Sequence, residues 1–352
     1  MINASCEAIY KMLQVNQYRY VLRFLAFAIV LGSISSCKSI DTSFFIPPDS
    51  SVSVSSENDA AKDFIKSGKK KSDNKDYQGA ISDYNEAIRL NPEDARVYKF
   101  RGGAKFGLRD YQGAITDYNE AIRLNPKDDS GYFGRAIVKG DLGDYKSAIT
   151  DFTEAISLNP NHTLAHGFRG RTKYSLGDYQ GAITDYNEAI SIDPNSTLTY
   201  LNRGRAKSEL GDYQGAIMDY NESIRLNPSD VNTYGLRGLA KSGLGDYQGA
   251  ITDYNELIRL NPKDDMAYYF RGRAKSELGD YQGAIVDYNE LIRFNPKDAG
   301  AYFSRGRAKF KLGDKQDGLR DYRETARIYQ EKGDTSGYER IQDLIRKIEG
   351  LR

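Results

Sequence analysis

An all-α tandem array of eight 34-residue helix-turn-helix units is the fold that this 352-residue sequence predicts. Three observations carry that expectation. Apart from Pro47 and Pro48, every proline stands 34 residues after the last, from Pro92 through Pro126, Pro160, Pro194, Pro228 and Pro262 to Pro296. Between prolines, apolar and small residues recur at spacings of three and four in two separate runs, the signature of two helices that each have one buried face. Between the runs stands Gly-Asp or its equivalent, a stop followed by a start.

The unit Ala95 to Asp128 shows how each element arises. Tyr98, Gly102, Lys105 and Leu108 share one face of a first helix; Tyr111, Ala114, Ile115, Tyr118, Ala121 and Ile122 share one face of a second. In most units a glycine (Gly143, Gly177, Gly211, Gly245, Gly279) is placed to end the first helix in a left-handed conformation. The aspartate after it (Asp144, Asp178, Asp212, Asp246, Asp280) is placed to cap the second helix and complement its dipole. Asn-Pro, or Asp193-Pro194 in one unit, ends that helix, because the residue before proline is pushed out of the helical region. Two such helices cannot bury their faces alone, so the units stack and share a continuous core. Gly102, Gly170, Gly204, Gly238, Gly272 and Gly306 lie inside the first helices, where each costs roughly 1 kcal/mol relative to alanine. Close approach of the paired helices is the expected compensation.

An aromatic fourth, Gly eighth, Ala twentieth, aromatic twenty-fourth, Ala twenty-seventh and Pro thirty-second, here Tyr98, Gly102, Ala114, Tyr118, Ala121 and Pro126, is a pattern that resembles the tetratricopeptide repeat. The resemblance implies a right-handed superhelical α-solenoid, with units 61–94, 95–128, 129–162, 163–196, 197–230, 231–264, 265–298 and 299–332 inside an array of 59–332. The first unit has Ser67 where the others have Arg, and the last has Gln330 in place of proline, as capping units do. Residues 333–352 read as a capping helix with the apolar stripe Tyr338, Ile341, Leu344, Ile345 and Ile348. A departure from the family is more informative. Where the family has Leu seventh, Tyr eleventh and Tyr twenty-third, this chain has Arg in seven units (Arg101 to Arg305), Lys in all eight (Lys71 to Lys309) and Asp in all eight (Asp83 to Asp321). Positions seven and twenty-three face each other across the helix pair, so Arg203 and Asp219, and their equivalents, are expected to form partly buried ion pairs.

Ahead of the array, Lys11, Arg19 and Arg23 precede an apolar run from Phe24 to Leu31, too short to span a bilayer comfortably but sufficient for a signal-peptide core. Ile34-Ser35-Ser36-Cys37 then resembles a bacterial lipobox, which implies that residues 1–36 are removed and that Cys37 is lipidated. A start at Met12 rather than Met1 gives this segment an ordinary length. The alternative is an uncleaved anchor or an apolar tail without a role. Residues 37–58, rich in Ser, Asp and Pro, read as a flexible tether that holds the array roughly 25 Å from a membrane.

Composition narrows function by exclusion. Fifty Lys and Arg against 49 Asp and Glu leave no net field for nucleic acid. The two cysteines, Cys6 and Cys37, precede the array, which excludes a disulfide framework or cysteine zinc site within it. His162 and His166 have the four-residue spacing of metal ligands but no evident third ligand, so neither a metal nor another cofactor is expected. No unit holds a unique Ser/His/Asp or Cys/His constellation, and catalysis is not expected.

The family's concave face is lined by first helices, so residues there that vary between units are the binding candidates. They are Phe168, Arg171 and Tyr174 in the fourth unit and Leu201, Asn202 and Arg205 in the fifth. In the seventh they are Tyr269, Phe270 and Arg273, and in the eighth Phe303, Arg307 and Phe310. Arginine beside aromatic rings is the composition of binding hot spots. The expected function is that of a non-enzymatic scaffold holding a peptide or partner protein in the groove, tethered by lipid to the extracytoplasmic side of a bacterial envelope. The other readings are a recruiting subunit of an enzyme complex and a cytoplasmic location.

Overall fold

The structure, a computed structural model, describes residues 51–350. The expected signal segment, Cys37 and most of the tether lie outside the described residues. Seventeen α-helices and no strand occur among those described. They divide into two compact parts, split between Pro126 and Lys127.

The first part holds α1 (Ser51–Asp73), α2 (Tyr77–Leu90), α3 (Ala95–Gly107) and α4 (Tyr111–Leu124). They form two antiparallel hairpins, with α2 packed on α3. The second part holds α5 (Asp129–Asp141), α6 (Tyr145–Leu158), α7 (Thr163–Ser175), α8 (Tyr179–Ile192), α9 (Thr197–Glu209) and α10 (Tyr213–Leu226). It continues with α11 (Val231–Gly243), α12 (Tyr247–Leu260), α13 (Asp265–Glu277), α14 (Tyr281–Phe294), α15 (Ala299–Lys311), α16 (Lys315–Glu331) and α17 (Thr335–Glu349). Odd-numbered members of α5–α15 are first helices of repeats and even-numbered members of α6–α16 second helices. Within this part each first helix also touches the first helix of the next repeat, whereas the second helices are held further apart. The first helices therefore line the tighter side.

Each hairpin turn is closed by the same device. Gly143 takes φ 83°, Gly177 81° and Gly211 79°. The N–H of Asp144 then donates to Lys139 O and that of Gly143 to Gly140 O, the two bonds of a Schellman motif. One aspartate serves both helices: Asp178, whose N–H closes α7, accepts through its side chain from Gly181 N and caps α8. Where glycine is missing, Lys75 and Arg109 adopt the same left-handed geometry at φ 64°.

Three boundaries add to the sequence reading. Helix α1 begins at Ser51, inside the expected tether. Serine costs only about half a kcal/mol per residue against alanine, and extending an existing helix avoids the cost of a new nucleus. Without proline at position 330, α16 runs for 17 residues instead of the usual 14, and α17 packs on it. Asp94, Asp128, Asp230, Asp264 and Asp298, each the last residue of a repeat, cap the first helix of the next one.

The interior glycines meet tyrosine rings. A Cβ on Gly204 would lie 2.6 Å from Tyr220 Cε1, and one on Gly238 2.6 Å from Tyr254 Cε1. Helix backbones are also near, with Ala182 O 3.2 Å from a Cβ on Gly170. The compensation for glycine is thus chiefly room for a ring that is about 1% exposed at Tyr186, Tyr220, Tyr254 and Tyr288. Burial drives the phenol pKa of Tyr186, Tyr220 and Tyr254 up from its ordinary value.

Candidate interaction site

The charged positions that replace the family's apolar ones form a ladder. In the fifth repeat Arg203 Nε donates to Asp219 Oδ2 at 3.0 Å and Nη2 to Oδ1 at 2.6 Å, a bidentate pair. Lys207 Nζ stands 2.9 Å from the same Oδ2. The remaining arm, Nη1, donates to Asn187 Oδ1 in the preceding repeat at 2.8 Å. The Arg–Asp pair recurs at Asp117, Asp151, Asp185, Asp253, Asp287 and Asp321. Arg101, Arg237, Arg271 and Arg305 repeat the backward link to asparagine, and Arg169 makes it to Thr153 Oγ1. The first repeat, with Ser67, keeps only the Lys71–Asp83 pair. The expected pairing of positions seven and twenty-three is therefore present in the seven repeats that carry arginine; lysine eleven and the link between repeats are additions.

The candidate groove residues divide by environment. Phe168 is buried at 8% exposure, edge-on to Phe133 at 5.7 Å and stacked on Phe152 at 6.2 Å. It packs into the core, whereas the sequence reading places it on the open face of the groove. Phe270 follows the same rule, stacked on Tyr254 at 6.0 Å: an aromatic sixth in a first helix meets the twenty-fourth ring of the preceding repeat. Tyr269 lies 6.5 Å from Tyr288, and Phe303 and Phe310 both stack on Tyr322, at 5.4 and 5.2 Å. Leu201 packs against the cluster of Ala216, Tyr220 and Ala240, and Asn202 is half-buried.

The arginines of position nine differ in exposure, Arg171 and Arg205 being half-buried and Arg273 and Arg307 exposed. Arg171 lies over Phe168 with Cζ 4.4 Å from the ring, and its burial lowers its pKa from the ordinary value. Arg205 lies over Tyr174 at 5.3 Å, and Tyr174 donates through its hydroxyl to Glu209 at 3.2 Å. The structure thus gathers Phe168, Arg171, Tyr174 and Arg205 on the fourth and fifth repeats. Arg273 and Arg307 are exposed and stand on the seventh and eighth.

Both histidines have local work. His162 caps α7 by accepting from Ala165 N at 3.3 Å and lies 4.7 Å from the Phe133 ring. His166 Nε2 is 3.0 Å from Pro160 O. Among the described residues no group of three or more His, Cys, Asp or Glu is placed to hold a metal.

Sequence reasoning passed over the first repeat, where Lys62, Lys66, Lys69 and Lys70 stand beside a groove on α1 and α3. Their spacing of four, three and one was the available signal, since it puts four cations on one helical stripe.

Models of the family described as tetratricopeptide repeat match residues 66–129, 130–162, 198–230 and 231–264, and one described as TPR repeat matches 170–211 and 272–313. None of the curated proteins matches the chain. Among solved structures, the C-terminal part of a TPR repeat-containing protein from Cytophaga hutchinsonii is similar at 18% identity and TM-score 0.59, over 69% of this chain and 97% of that one. A tetratricopeptide repeat protein from Parabacteroides merdae is similar at 19% identity and TM-score 0.51, over 71% and 99%. At these identities the likeness is one of fold. The matched segments take in more than half of the 352 residues, and the chain belongs to the tetratricopeptide repeat family.

Proposed function

We propose that the chain is a non-enzymatic scaffold that binds a peptide or partner protein along its first helices, held to the extracytoplasmic side of a bacterial membrane by a lipid on Cys37. The observation that carries the reading is an asymmetry between the helices. Second helices are near copies, YQGAITDYNEAIRL in α4 against YQGAIMDYNESIRL in α10 and YQGAITDYNELIRL in α12. First helices differ at exposed and half-buried positions, as TLTYLNRGRAKSE in α9 and VNTYGLRGLAKSG in α11 do. Position nine is Arg in α7, α9, α13 and α15 and Lys69 in the first repeat but Gly103, Ile137 and Leu239 in the second, third and sixth, so stacking of the repeats does not require the charge. Tetratricopeptide arrays serve as protein-interaction scaffolds, and variation concentrated in the first helices is what recognition by that side requires.

Affinity capture from solubilised membranes, comparing wild type with the exposed pair Arg273→Ala/Arg307→Ala and with the quadruple variant that adds Arg171→Ala and Arg205→Ala, tests the binding face. Partners should weaken in the double variant and be lost from the quadruple one, with helicity unchanged by circular dichroism. An unchanged partner set in both would move binding off the first helices. A desolvated arginine at an interface typically costs about 2 kcal/mol or more on truncation.

The tether has its own measurement. Mass spectrometry of the mature protein should find an acylated Cys37 at its N-terminus, and Cys37→Ser should release the chain from the membrane fraction. Retention of residues 1–36, or undiminished membrane association of the variant, would remove the anchor from the reading.

A further inference from the structure

On the first two repeats, α1 and α3 flank an open groove of about 430 Å³. Lys62, Lys66, Lys69 and Lys70 line it from α1 and Arg96 from α3, all exposed, with half-buried Ile65 and Phe100 as its apolar part. Asp73 is the one acidic residue in the lining. The stripe is unfavourable to α1 itself, because Lys62–Lys66 and Lys66–Lys70 are like charges at four-residue spacing. Second helices show the opposite arrangement, with Glu and Arg paired three apart at Glu86–Arg89, Glu120–Arg123 and Glu256–Arg259. The local excess also stands out in a chain whose formal net charge is +1.

What these cations touch leaves them available. Lys62 pairs with Asp59 at 2.8 Å and Arg96 with Asp94 at 2.7 Å, both through exposed cationic side chains whose pairing water and salt weaken. Lys69 Nζ sits 4.1 Å from the Phe100 ring centroid. Lys66 and Lys70 form no ion pair among the described residues.

We propose that this groove binds an acidic peptide segment bearing one aromatic or large apolar side chain. Its carboxylates engage Lys66, Lys70 and Arg96, and the side chain lies against Ile65 and Phe100. Charge complementarity selects the acidic partner, and the apolar part of a concave lining selects a peptide over a membrane surface, which meets cations on a face that protrudes. The inference rests on the scaffold reading above and adds to it a separate acidic contact on the first two repeats.

Fluorescence anisotropy with the full chain and a labelled peptide Asp-Glu-Phe-Asp-Glu-Asp tests it. Binding should weaken at least tenfold in Lys66→Glu/Lys70→Glu, severalfold in Lys66→Gln/Lys70→Gln and severalfold when the peptide's Phe is replaced by Ser. It should weaken as salt rises from about 50 to about 200 mM, which roughly halves the Debye length, as charge-assisted contacts do. Both lysines are exposed, and circular dichroism checks that the variants keep their helices. Equal affinity of the Lys→Glu variant overturns the proposal, as does the absence of binding by wild type. Affinity that is lost in Arg273→Ala/Arg307→Ala but kept in the Lys→Glu variant also overturns it, while leaving the scaffold reading intact. Lysine-dependent cosedimentation with phosphatidylglycerol vesicles, without peptide binding, would assign the stripe to a membrane.

Discussion

Asp253→Asn should destabilise the sixth repeat by about 3–5 kcal/mol, because it strips two cations of their shared carboxylate. Asp253 is 1% exposed, and it accepts from Arg237 at 2.6 Å and lies 2.9 Å from Lys241. Arg237 and Lys241 side chains are only 17% and 18% exposed, so water cannot fully replace what is lost. Arg237→Ala should cost less, since Lys241 still balances the aspartate. The triple replacement by the family's apolar residues at these positions (Arg237→Leu, Lys241→Tyr, Asp253→Tyr) should be close to neutral or stabilising, because it removes the desolvation of all three charges together. Urea midpoints should therefore fall in the order triple variant or wild type, Arg237→Ala, Asp253→Asn. A midpoint for Asp253→Asn equal to wild type would show the ladder to be a solvated surface pattern. In a repeat array such a loss stays local, so hydrogen exchange should accelerate in α11 and α12 first.

The ladder also shows what could be read before the structure. Arg203 and Asp219 were legible as a pair because antiparallel helices of known length and turn put positions seven and twenty-three opposite each other. The arm that reaches Asn187 was not. It depends on the stagger between successive repeats, and no spacing within one repeat encodes that stagger. The same blindness explains Phe168. Its variation between repeats suggested a recognition residue, yet the ring fills a gap beside Phe152 of the preceding repeat. Turn and cap chemistry was more transparent, since Gly211 and Asp212 act through their own backbone and nearest neighbours. At Arg109 the left-handed geometry persists without glycine, because the flanking Schellman bond, Asp110 N to Lys105 O at 2.9 Å, holds it. The lysine stripe of α1 was visible as composition. Its meaning required the groove that Arg96 and Phe100 complete from another helix.

Gly204→Ala should destabilise the fifth repeat even though alanine is the better helix former. The gain in helix propensity is roughly 1 kcal/mol. Against it stands a Cβ 2.6 Å from Tyr220 Cε1, 3.0 Å from Cδ1 and 3.1 Å from Cζ, in a ring that is 1% exposed. A buried ring cannot step aside as the tip of an exposed chain can, and overpacking of this kind typically costs about 1–3 kcal/mol, occasionally more. The net expectation is a loss on the order of 1 kcal/mol. Gly167, in the first helix of the neighbouring repeat, provides the control, because nothing lies within 4 Å of the Cβ it would gain. Gly167→Ala should raise stability by about 0.5–1 kcal/mol, as at other unstrained helical sites. The two substitutions are chemically identical, so opposite shifts in the urea midpoint isolate the tyrosine ring as the reason for glycine at position eight. A gain at both sites would mean that the ring has room to move and that helix propensity alone decides.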